Sequence, residues 1–398
     1  MGEPLNHWPP GYSLLLSPFP DPITAALVLN YLSFGAAVGL LYYLLRRVGW
    51  SWQAGLGASV ALGSGFFRLL ANEAHADIVS YALFFVAACL VIRSGKRTWP
   101  ALIWALLVPI KLIAVVFLPP AIAADGLDAE RDWKRLLSAY ALPVILTILA
   151  VGSILMFNLI TVGTLVPSSH ESSSLQVLSQ GARSFVVSIP RTFLFDWHGP
   201  VREPFPRLAF ATCMILCGIC LFSLRPTKAA KWFRLYGLAF LICSAALLCV
   251  RSFDPSARLV GYGLIMLALG FSPREWANGV WLFYGAASLA TAVVNARTVN
   301  SLGVNDPRYA ALAAEFRAKY EGSSVVATNS FHILDLHADI PSVPISNYSE
   351  LKPYQLFFWV TLPRYDAVTT SVTTLPHPGS DWCEEQQLSG GVLFARCR

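Results

Sequence analysis

The sequence predicts an all-α polytopic membrane protein that carries a small α/β domain at its C-terminal end. Hydrophobic side chains make up 55% of the 398 residues and charged ones only 13%, about half the usual charged share. Apolar stretches near membrane-spanning length recur up to about residue 296, after which the composition becomes mixed and polar. The composition excludes a soluble enzyme of this size, and the 24 Phe, 12 Trp and 14 Tyr exclude a disordered chain.

Crossing about 30 Å of hydrocarbon takes roughly 20 helical residues. Apolar stretches bounded by charged or turn residues lie at 23–45, 52–70, 78–92, 136–160, 208–224, 235–250, 259–271 and 276–294. The stretch 99–124 is interrupted by Lys111 and by Pro119 and Pro120. Because a charge and two prolines break a helix, we predict two short helices that meet near Lys111.

Basic residues predict the orientation, because Lys and Arg concentrate in short cytoplasmic loops. The clusters that fall on one side lie at 46–47, 93–97, 131–135, 225–234 and 274. This agreement requires the stretch 99–124 to cross twice, which gives about ten membrane segments with both termini outside the cytoplasm. The first ten residues carry no basic region, so they are not a cleavable signal peptide. No basic run is interleaved with aromatic residues, and we expect no nucleic-acid partner.

The predicted organisation has three parts. Residues 1–21 form an external segment with a Pro-Pro-Gly-Tyr motif, residues 22–296 form the membrane domain with an external loop at 161–207, and residues 297–398 form the external domain. In the external domain, helical spacing covers 307–320, short β-rich runs cover 324–328 and 367–372, and 391–396 pairs with a partner across Gly390 and Gly391.

Cysteine use agrees with this orientation. Cys383 and Cys397 flank the last hairpin of the external domain, where an oxidising compartment permits a disulfide. The set Cys213, Cys217 and Cys220 has the spacing of one helix face. It lacks His or acidic partners, so we interpret it as small apolar packing rather than as a metal site.

Polar residues on the predicted external side are the candidates for chemistry. The loop 72–77 holds Glu73, His75 and Asp77 within six residues and opens onto an apolar helix. Carboxylates near hydrocarbon are costly unless they are solvated or used. They predict a group that orients or deprotonates an acceptor, with Asp77 and Glu73 as the catalytic candidates. Holding a divalent metal and, for Asp77, simple capping of the helix remain open alternatives.

Three cations lie on the predicted external side, although Lys and Arg concentrate in cytoplasmic loops. Lys111 stands where the two short helices meet, and Arg251 and Arg258 bracket the loop 252–257. A lipid-linked phosphate needs such groups at hydrocarbon depth, because guanidinium binds phosphate bidentately and ammonium supplies a point charge. Snorkelling to lipid headgroups is the alternative.

Two further patterns have a structural alternative. The segment with His7, Pro9, Pro10 and Tyr12 is either a functional motif or a stiff aromatic turn at the membrane interface. The residues His332, Asp335, His337 and Asp339 resemble a metal set, but a solvated helix accounts for them.

Together these pieces resemble the polytopic GT-C glycosyltransferases, in particular the bacterial branch similar to dolichyl-phosphate-mannose–protein mannosyltransferases and lipid A aminoarabinose transferases. The resemblance rests on five segments in order: the residues His7 to Leu14, the helix opening at Asp77, Lys111 followed by Pro119 and Pro120, the segment from Arg251 to Arg258, and 325–344.

This resemblance implies a multi-pass protein of the bacterial inner membrane with a periplasmic C-terminal domain. Its members transfer a sugar from a polyprenyl-phosphate carrier to a lipid, glycan or protein acceptor in the cell envelope, by inverting displacement at the anomeric carbon. It implies that Arg258, Arg251 and Lys111 hold the carrier phosphate and that Asp77 is the acid of the second loop. The cofactor is undetermined, because a site that uses only an acid and a site that uses an acid with a divalent metal would contain the same residues.

The resemblance also implies a first transmembrane helix and a catalytic aspartate before the proline motif. Met1 lies only eight residues before Pro9, so we expect this chain to lack both. It is then either a shortened form of an active transferase or a degenerate, inactive member.

A transporter or flippase for lipid-linked sugars, or a non-catalytic scaffold, would use the same cations. Internal inverted repeats would favour a transporter, and none is found in the sequence. A transfer assay separates these alternatives.

Overall fold

The computed structural model describes residues 10–20, 22–70, 76–94, 98–129, 133–162, 181–183, 185–186, 189, 204–227, 230–250, 256–300, 307–320, 326–328, 342–344, 354–360 and 379–397. The chain divides into two compact units. The larger comprises 5–197 and 201–294, and the smaller comprises 1–4, 198–200 and 295–398. Each unit has its own hydrophobic core.

The larger unit is built from helices. In chain order they are α1 (Pro10–Leu16), α2 (Pro22–Arg47), α3 (Trp52–Leu70), α4 (Ala76–Ser94), α5 (Thr98–Leu107), a 3-10 helix (Leu112–Phe117), α6 (Leu118–Ala129), α7 (Trp133–Val162), α8 (Pro204–Phe222), α9 (Lys231–Val250), α10 (Ser256–Leu269) and α11 (Asn278–Asn300). All eight stretches predicted to span the membrane are therefore helical over most of their length.

Residue chemistry sets several helix ends. Proline stands first in α1, α2 and α8, where its missing N–H is not needed. After α2, Gly49 adopts a φ of 101°, and Val48 N–H donates to the Leu44 carbonyl oxygen over 3.0 Å. A left-handed glycine of this kind ends a helix while satisfying its last carbonyls. The short turn 49–51 that follows leads directly into α3.

The predicted break near Lys111 is confirmed. Helix α5 ends at Leu107, Lys111 has extended dihedral angles (φ −147°, ψ 110°), and the 3-10 helix begins at Leu112. Ile110 and Lys111 N–H groups still donate to the Leu107 carbonyl oxygen, so the break is a tight turn between two helical segments.

Two predicted span ends were wrong. Leu224 and Phe271 were placed in helices, but they belong to two short strands, β1 (Leu224–Pro226) and β2 (Phe271–Pro273). The strands pair antiparallel, with Arg225 opposite Ser272. The reason is that the backbone N–H and C=O groups of the two helix–helix connections hydrogen-bond to each other, so neither helix continues through its connection.

Hydrogen bonds gather several connections at one end of this unit. Trp50 Nε1 donates to the Phe271 carbonyl oxygen (2.6 Å), and Arg234 donates to the carbonyl oxygens of Thr227 (2.5 Å) and Gly270 (2.7 Å). The connections that carry Arg46, Arg225, Arg234 and Arg274 therefore share one end of the bundle, as the charge pattern predicts. We call it the arginine end.

The core between the helices is aromatic. Its rings come from α4, α5, the 3-10 helix, α9 and α10, and the best-connected members are Phe84, Trp104, Phe117, Tyr236 and Tyr262. Where α3 crosses α11, Gly57 and Gly285 bring the backbones together: a Cβ on Gly57 would lie 2.0 Å from the Trp281 carbonyl oxygen. Small residues at such crossings are typical of helices packed in membranes.

The outer surface of the helices is also apolar. Among the described residues, Thr24–Arg47 and Leu136–Phe157 are long and apolar enough to cross a membrane, and three shorter apolar helices cover Ile78–Arg93, Ala211–Phe222 and Leu259–Leu269. Large side chains such as Ile160 (77%) and Phe222 (80%) are exposed. Exposed apolar area on this scale indicates a protein that faces lipid. The number of membrane segments stays a prediction.

The smaller unit contains helix α12 (Pro307–Lys319) and strands β3 (Val326–Thr328), β4 (Ser342–Pro344), β5 (Leu356–Val360), β6 (Trp382–Leu388) and β7 (Gly391–Arg396). The strand order is β4-β3-β5-β7-β6, parallel around β3 and antiparallel around β7. The predicted helix and the final hairpin are confirmed, and the described part of the β-run 324–328 is strand β3 (Val326–Thr328). The predicted run 367–372 lies outside the described residues.

Candidate functional site

Two tyrosines bring the starts of α4 and α10 together. The rings of Tyr81 on α4 and Tyr262 on α10 lie 5.7 Å apart, and both side chains are buried. Asp77 precedes Tyr81 by four residues and Arg258 precedes Tyr262 by four, about one helical turn in each case. Asp77 and Arg258 therefore each lie about one helical turn before this tyrosine pair, close to the starts of their helices.

Lys111 lies at the same end. Phe117, which closes the 3-10 helix after Lys111, has its ring 5.0 Å from that of Tyr262 and 4.9 Å from that of Phe84. Ile110 packs in the small cluster that contains Val79, two residues after Asp77. The lysine is 6% exposed and stands before the 3-10 helix without capping it through its side chain. A buried ammonium at a helix break is costly unless it serves a partner.

The proline-motif segment also reaches this place. Helix α1 begins at Pro10, Gly11 N–H donates to the Pro109 carbonyl oxygen over 3.0 Å, and Tyr12 packs in the cluster with Val79 and Ile110. The structure thus brings together α1, the start of α4, the start of α10 and the turn at Lys111. We call this the motif end of the bundle.

Some predicted site residues cannot be placed in this geometry. His7, Pro9, Glu73 and Arg251 lie outside the described residues, as does the metal-like set His332 to Asp339. For Pro10, Asp77 and Arg258 the backbone position is described. Within the described part of the chain, no group of three or more His, Cys, Asp or Glu side chains is arranged to hold a metal ion.

An apolar groove, which the sequence did not signal, lies between the segment after Lys111 and helix α7. Its volume is about 380 Å³, and its lining includes Val115, Leu118, Ile122, Val144, Thr147 and Ile148. The first lining residue, Val115, follows Lys111 by four positions. A groove lined in this way takes a hydrocarbon chain more readily than water, because it offers almost no hydrogen-bond partners.

The three cysteines of α8 lie in the packed interior. Cys213, Cys217 and Cys220 are all buried, and Cys213 Sγ lies 3.9 Å from Thr291 Oγ1 of α11. They pack α8 against α11, in keeping with the interpretation of the set as small interior side chains.

Cys383 and Cys397 form a disulfide in the smaller unit. Cys383 stands in β6, and Cys397 follows the last residue of β7, so the bond closes the open end of the hairpin. Arg396 supports the same region, with its guanidinium carbon 4.7 Å from the Trp382 ring centroid.

Sequence reasoning missed Asn30. It is completely buried in the apolar helix α2, and its Oδ1 accepts a hydrogen bond from the Tyr12 hydroxyl over 3.1 Å. A polar residue in a 26-residue apolar helix is the signal that could have identified it.

Apolar helices with exposed apolar surfaces, packed around an aromatic core, define a helical membrane protein whose candidate site lies at the motif end. The model of glycosyltransferase family 87 matches residues 6–253, more than half of the chain. The chain therefore belongs to glycosyltransferase family 87, a family of membrane glycosyltransferases. No curated protein and no solved structure matches it.

Proposed function

We propose that this protein is a GT-C-type transferase of the bacterial inner membrane that moves a sugar from a polyprenyl-phosphate carrier to a lipid, glycan or protein acceptor. The reaction takes place on the periplasmic side, at the motif end. The observation that carries the proposal is the convergence of the Asp77, Arg258 and Lys111 positions at one end of a family 87 membrane fold.

The cations bind the donor phosphate. Lys111 supplies a point charge at a helix break, and Arg258 one turn before Tyr262 supplies a bidentate donor, with Arg251 joining from the preceding loop. Several cations at the edge of the hydrocarbon replace water around a phosphate monoester or diester and stabilise its negative charge. They also stabilise the negative charge that grows on the leaving phosphate as the reaction proceeds.

The apolar groove holds the carrier's hydrocarbon. It begins about one turn after Lys111, so the hydrocarbon of a carrier whose phosphate binds at the lysine can enter the groove. Burying isoprenoid carbons there contributes roughly 0.8 kcal/mol per methylene equivalent. The groove therefore supports a lipid-linked donor over a water-soluble nucleotide sugar.

Asp77 supplies the base. The acceptor oxygen attacks the anomeric carbon as the bond from that carbon to the phosphate oxygen breaks, and a carboxylate takes the acceptor's proton. The products are the glycosylated acceptor and the free polyprenyl phosphate. Glu73 in the preceding loop is the second carboxylate and orients the acceptor.

The test uses membranes that contain the full chain and polyprenyl phosphates that carry labelled hexoses or pentoses. The measured product is free polyprenyl phosphate, because every acceptor releases it. Asp77→Asn should lower kcat by about 10²- to 10⁴-fold with donor binding retained, the usual contribution of a general base. Arg258→Ala and Lys111→Gln should mainly raise the donor KM.

Matched controls lie at the arginine end. Arg225→Ala and Asp128→Asn change the same residue types away from the motif end and should keep wild-type rates. Donor that crosses the bilayer without losing its sugar would instead identify a flippase. Wild-type turnover in both Asp77→Asn and Arg258→Ala would remove the basis of the site.

A further inference from the structure

Helix α1 is attached to the bundle by two polar contacts of different kinds. The Gly11 N–H donates to the Pro109 carbonyl oxygen over 3.0 Å, and the Tyr12 hydroxyl donates to Asn30 Oδ1 over 3.1 Å. The first contact reaches the turn before Lys111, and the second reaches α2. Adjacent residues of a seven-residue helix therefore connect α2 to the turn that carries the lysine.

Gly11 is required at its position by the closeness of that turn. A Cβ on residue 11 would lie 2.5 Å from the Pro109 carbonyl oxygen and 3.0 Å from the Ile110 nitrogen. These atoms are backbone, so they cannot move away without moving the turn. The backbone of α1 therefore lies directly against residues 109–110, next to Lys111.

The Tyr12–Asn30 hydrogen bond fixes where α1 lies along α2. Tyr12 is 8% exposed and Asn30 is not exposed at all. An apolar residue at position 30 would pack without this cost, because burying an amide in an apolar helix costs free energy unless the amide is hydrogen-bonded. The bond joins residues 18 positions apart, so it sets tertiary placement and not local helix geometry.

Lys111 is the group that this arrangement positions. Its N–H donates to the Leu107 carbonyl oxygen over 2.8 Å and its carbonyl accepts from Ala114 N–H over 2.9 Å, so the turn is tied to both flanking helices. The same turn also contacts α1, through the hydrogen bond from Gly11 N–H to the Pro109 carbonyl oxygen. A shift of α1 would therefore move the backbone that presents the lysine.

We propose that the Tyr12–Asn30 pair, acting with Gly11, clamps the 109–111 turn and positions Lys111 for the donor phosphate. Tyr12 and Asn30 are positioning residues and do not touch the substrate. The proposal rests on the proposed function in one respect, that Lys111 binds the phosphate.

The first test measures binding of a sugar-free polyprenyl monophosphate to the full chain in lipid nanodiscs. Tyr12→Phe, which removes only the hydroxyl, should weaken binding about five- to thirtyfold, the factor that corresponds to losing 1–2 kcal/mol. Gly11→Ala should weaken it at least as much. Tyr31→Phe, on the neighbouring exposed tyrosine of α2, is the matched control and should bind as the wild type does.

The second measurement separates positioning from general destabilisation. In a Lys111→Gln background, Tyr12→Phe should cause no further loss of binding, because its effect passes through the lysine. Hydrogen exchange in peptides covering 107–117 should accelerate in Tyr12→Phe and Gly11→Ala, while exchange over 382–396 in the smaller unit stays at the wild-type rate.

The two failures are distinguishable. Equal binding by wild type and Lys111→Gln would overturn the phosphate role of the lysine and with it the proposed function. Binding lost in Lys111→Gln but unchanged in Tyr12→Phe and Gly11→Ala would overturn the clamp alone. Additive losses in the Lys111→Gln background would also overturn it, because they would show that Tyr12 acts on the fold and not on the lysine.

Discussion

Two aspartates on helix α6 should differ sharply in what they contribute to stability. Asp125 is 2% exposed, and its carboxylate accepts hydrogen bonds from the Tyr140 hydroxyl (2.9 Å) and from Trp232 Nε1 (2.8 Å). Asp128, one turn further along, lies 3.7 Å from Lys231, whose side chain is 54% exposed. The perturbation is the replacement of each aspartate by Ala and by Asn.

The expected magnitudes follow from burial. A hydrogen bond to a charged group contributes about 1.5–3 kcal/mol, so the loss of the bonds from Tyr140 and Trp232 in Asp125→Ala should lower the free energy of unfolding by roughly 3–6 kcal/mol. Asp125→Asn should lose about half of that, because the amide oxygen still accepts one bond. The Asp128 side chain is 18% exposed and its lysine partner 54%, so losing this partly exposed ion pair in Asp128→Ala should cost only about 0–1 kcal/mol.

The assay is unfolding of the full chain in mixed micelles by added SDS, followed by thiol labelling. Cys213, Cys217 and Cys220 are buried in the larger unit, so a maleimide reaches them only when that unit opens. Cys383 and Cys397 are in a disulfide and do not react. An Asp125→Ala variant that unfolds at the same SDS fraction as Asp128→Ala would refute the reasoning that burial decides the contribution.

Three further predictions concern the groove, the helix crossing and the smaller unit. Ile148→Trp should fill the groove and raise the KM for long-chain donors but not for short-chain ones, whereas Leu149→Trp on the neighbouring lipid-facing position should leave both unchanged in the transfer assay. Gly57→Ala should destabilise the larger unit by several kcal/mol because its Cβ would overlap the Trp281 carbonyl, and Gly35→Ala, with open space at its Cβ, should not; thiol labelling measures both. Hydrogen bonds from Ser389 and the neighbouring Lys319 lower the pKa of Glu315 from 4.5 to about 2. A lowered folded-state pKa means that this contribution is complete above about pH 4.5 and is lost as the pH falls towards 2. Protection factors over 382–396, which correct for the pH dependence of the intrinsic exchange rate, should therefore fall in that window, and Glu315→Gln should flatten the dependence.

Much of the fold could be predicted because its signals are local. Apolar length alone located the eight long helices, and a lysine followed by two prolines located the break at Lys111. The ladder between β1 and β2 could not be predicted, because it depends on two connections that meet across 47 positions of sequence, as Arg225 and Ser272 do. Strand β5 had a local signal, five consecutive apolar residues from Leu356, that the sequence reasoning did not use.

The site was only partly predictable for a related reason. Lys111 and Asp77 were predicted to be site residues because a charge in or beside an apolar run is conspicuous, and their roles stay predictions. Asn30 and Asp125 are polar residues of the same kind, yet nothing in the sequence tells whether such a residue meets a partner, water or lipid. Their partners Tyr12 and Trp232 come from other helices, so only the tertiary structure identifies these pairs.

The two ends of the bundle use their cations differently, and this difference bears on where the chemistry lies. At the arginine end, Arg46 donates to the Trp50 carbonyl oxygen over 2.6 Å and Arg234 donates to two backbone carbonyls. These guanidinium groups complete helix ends and a strand ladder, so their positions follow from the fold. At the motif end, Lys111 makes no side-chain cap for the 3-10 helix that it precedes, although it is buried. Lys111 therefore does not complete a helix end as these arginines do, and in the proposed function its ammonium binds the donor phosphate.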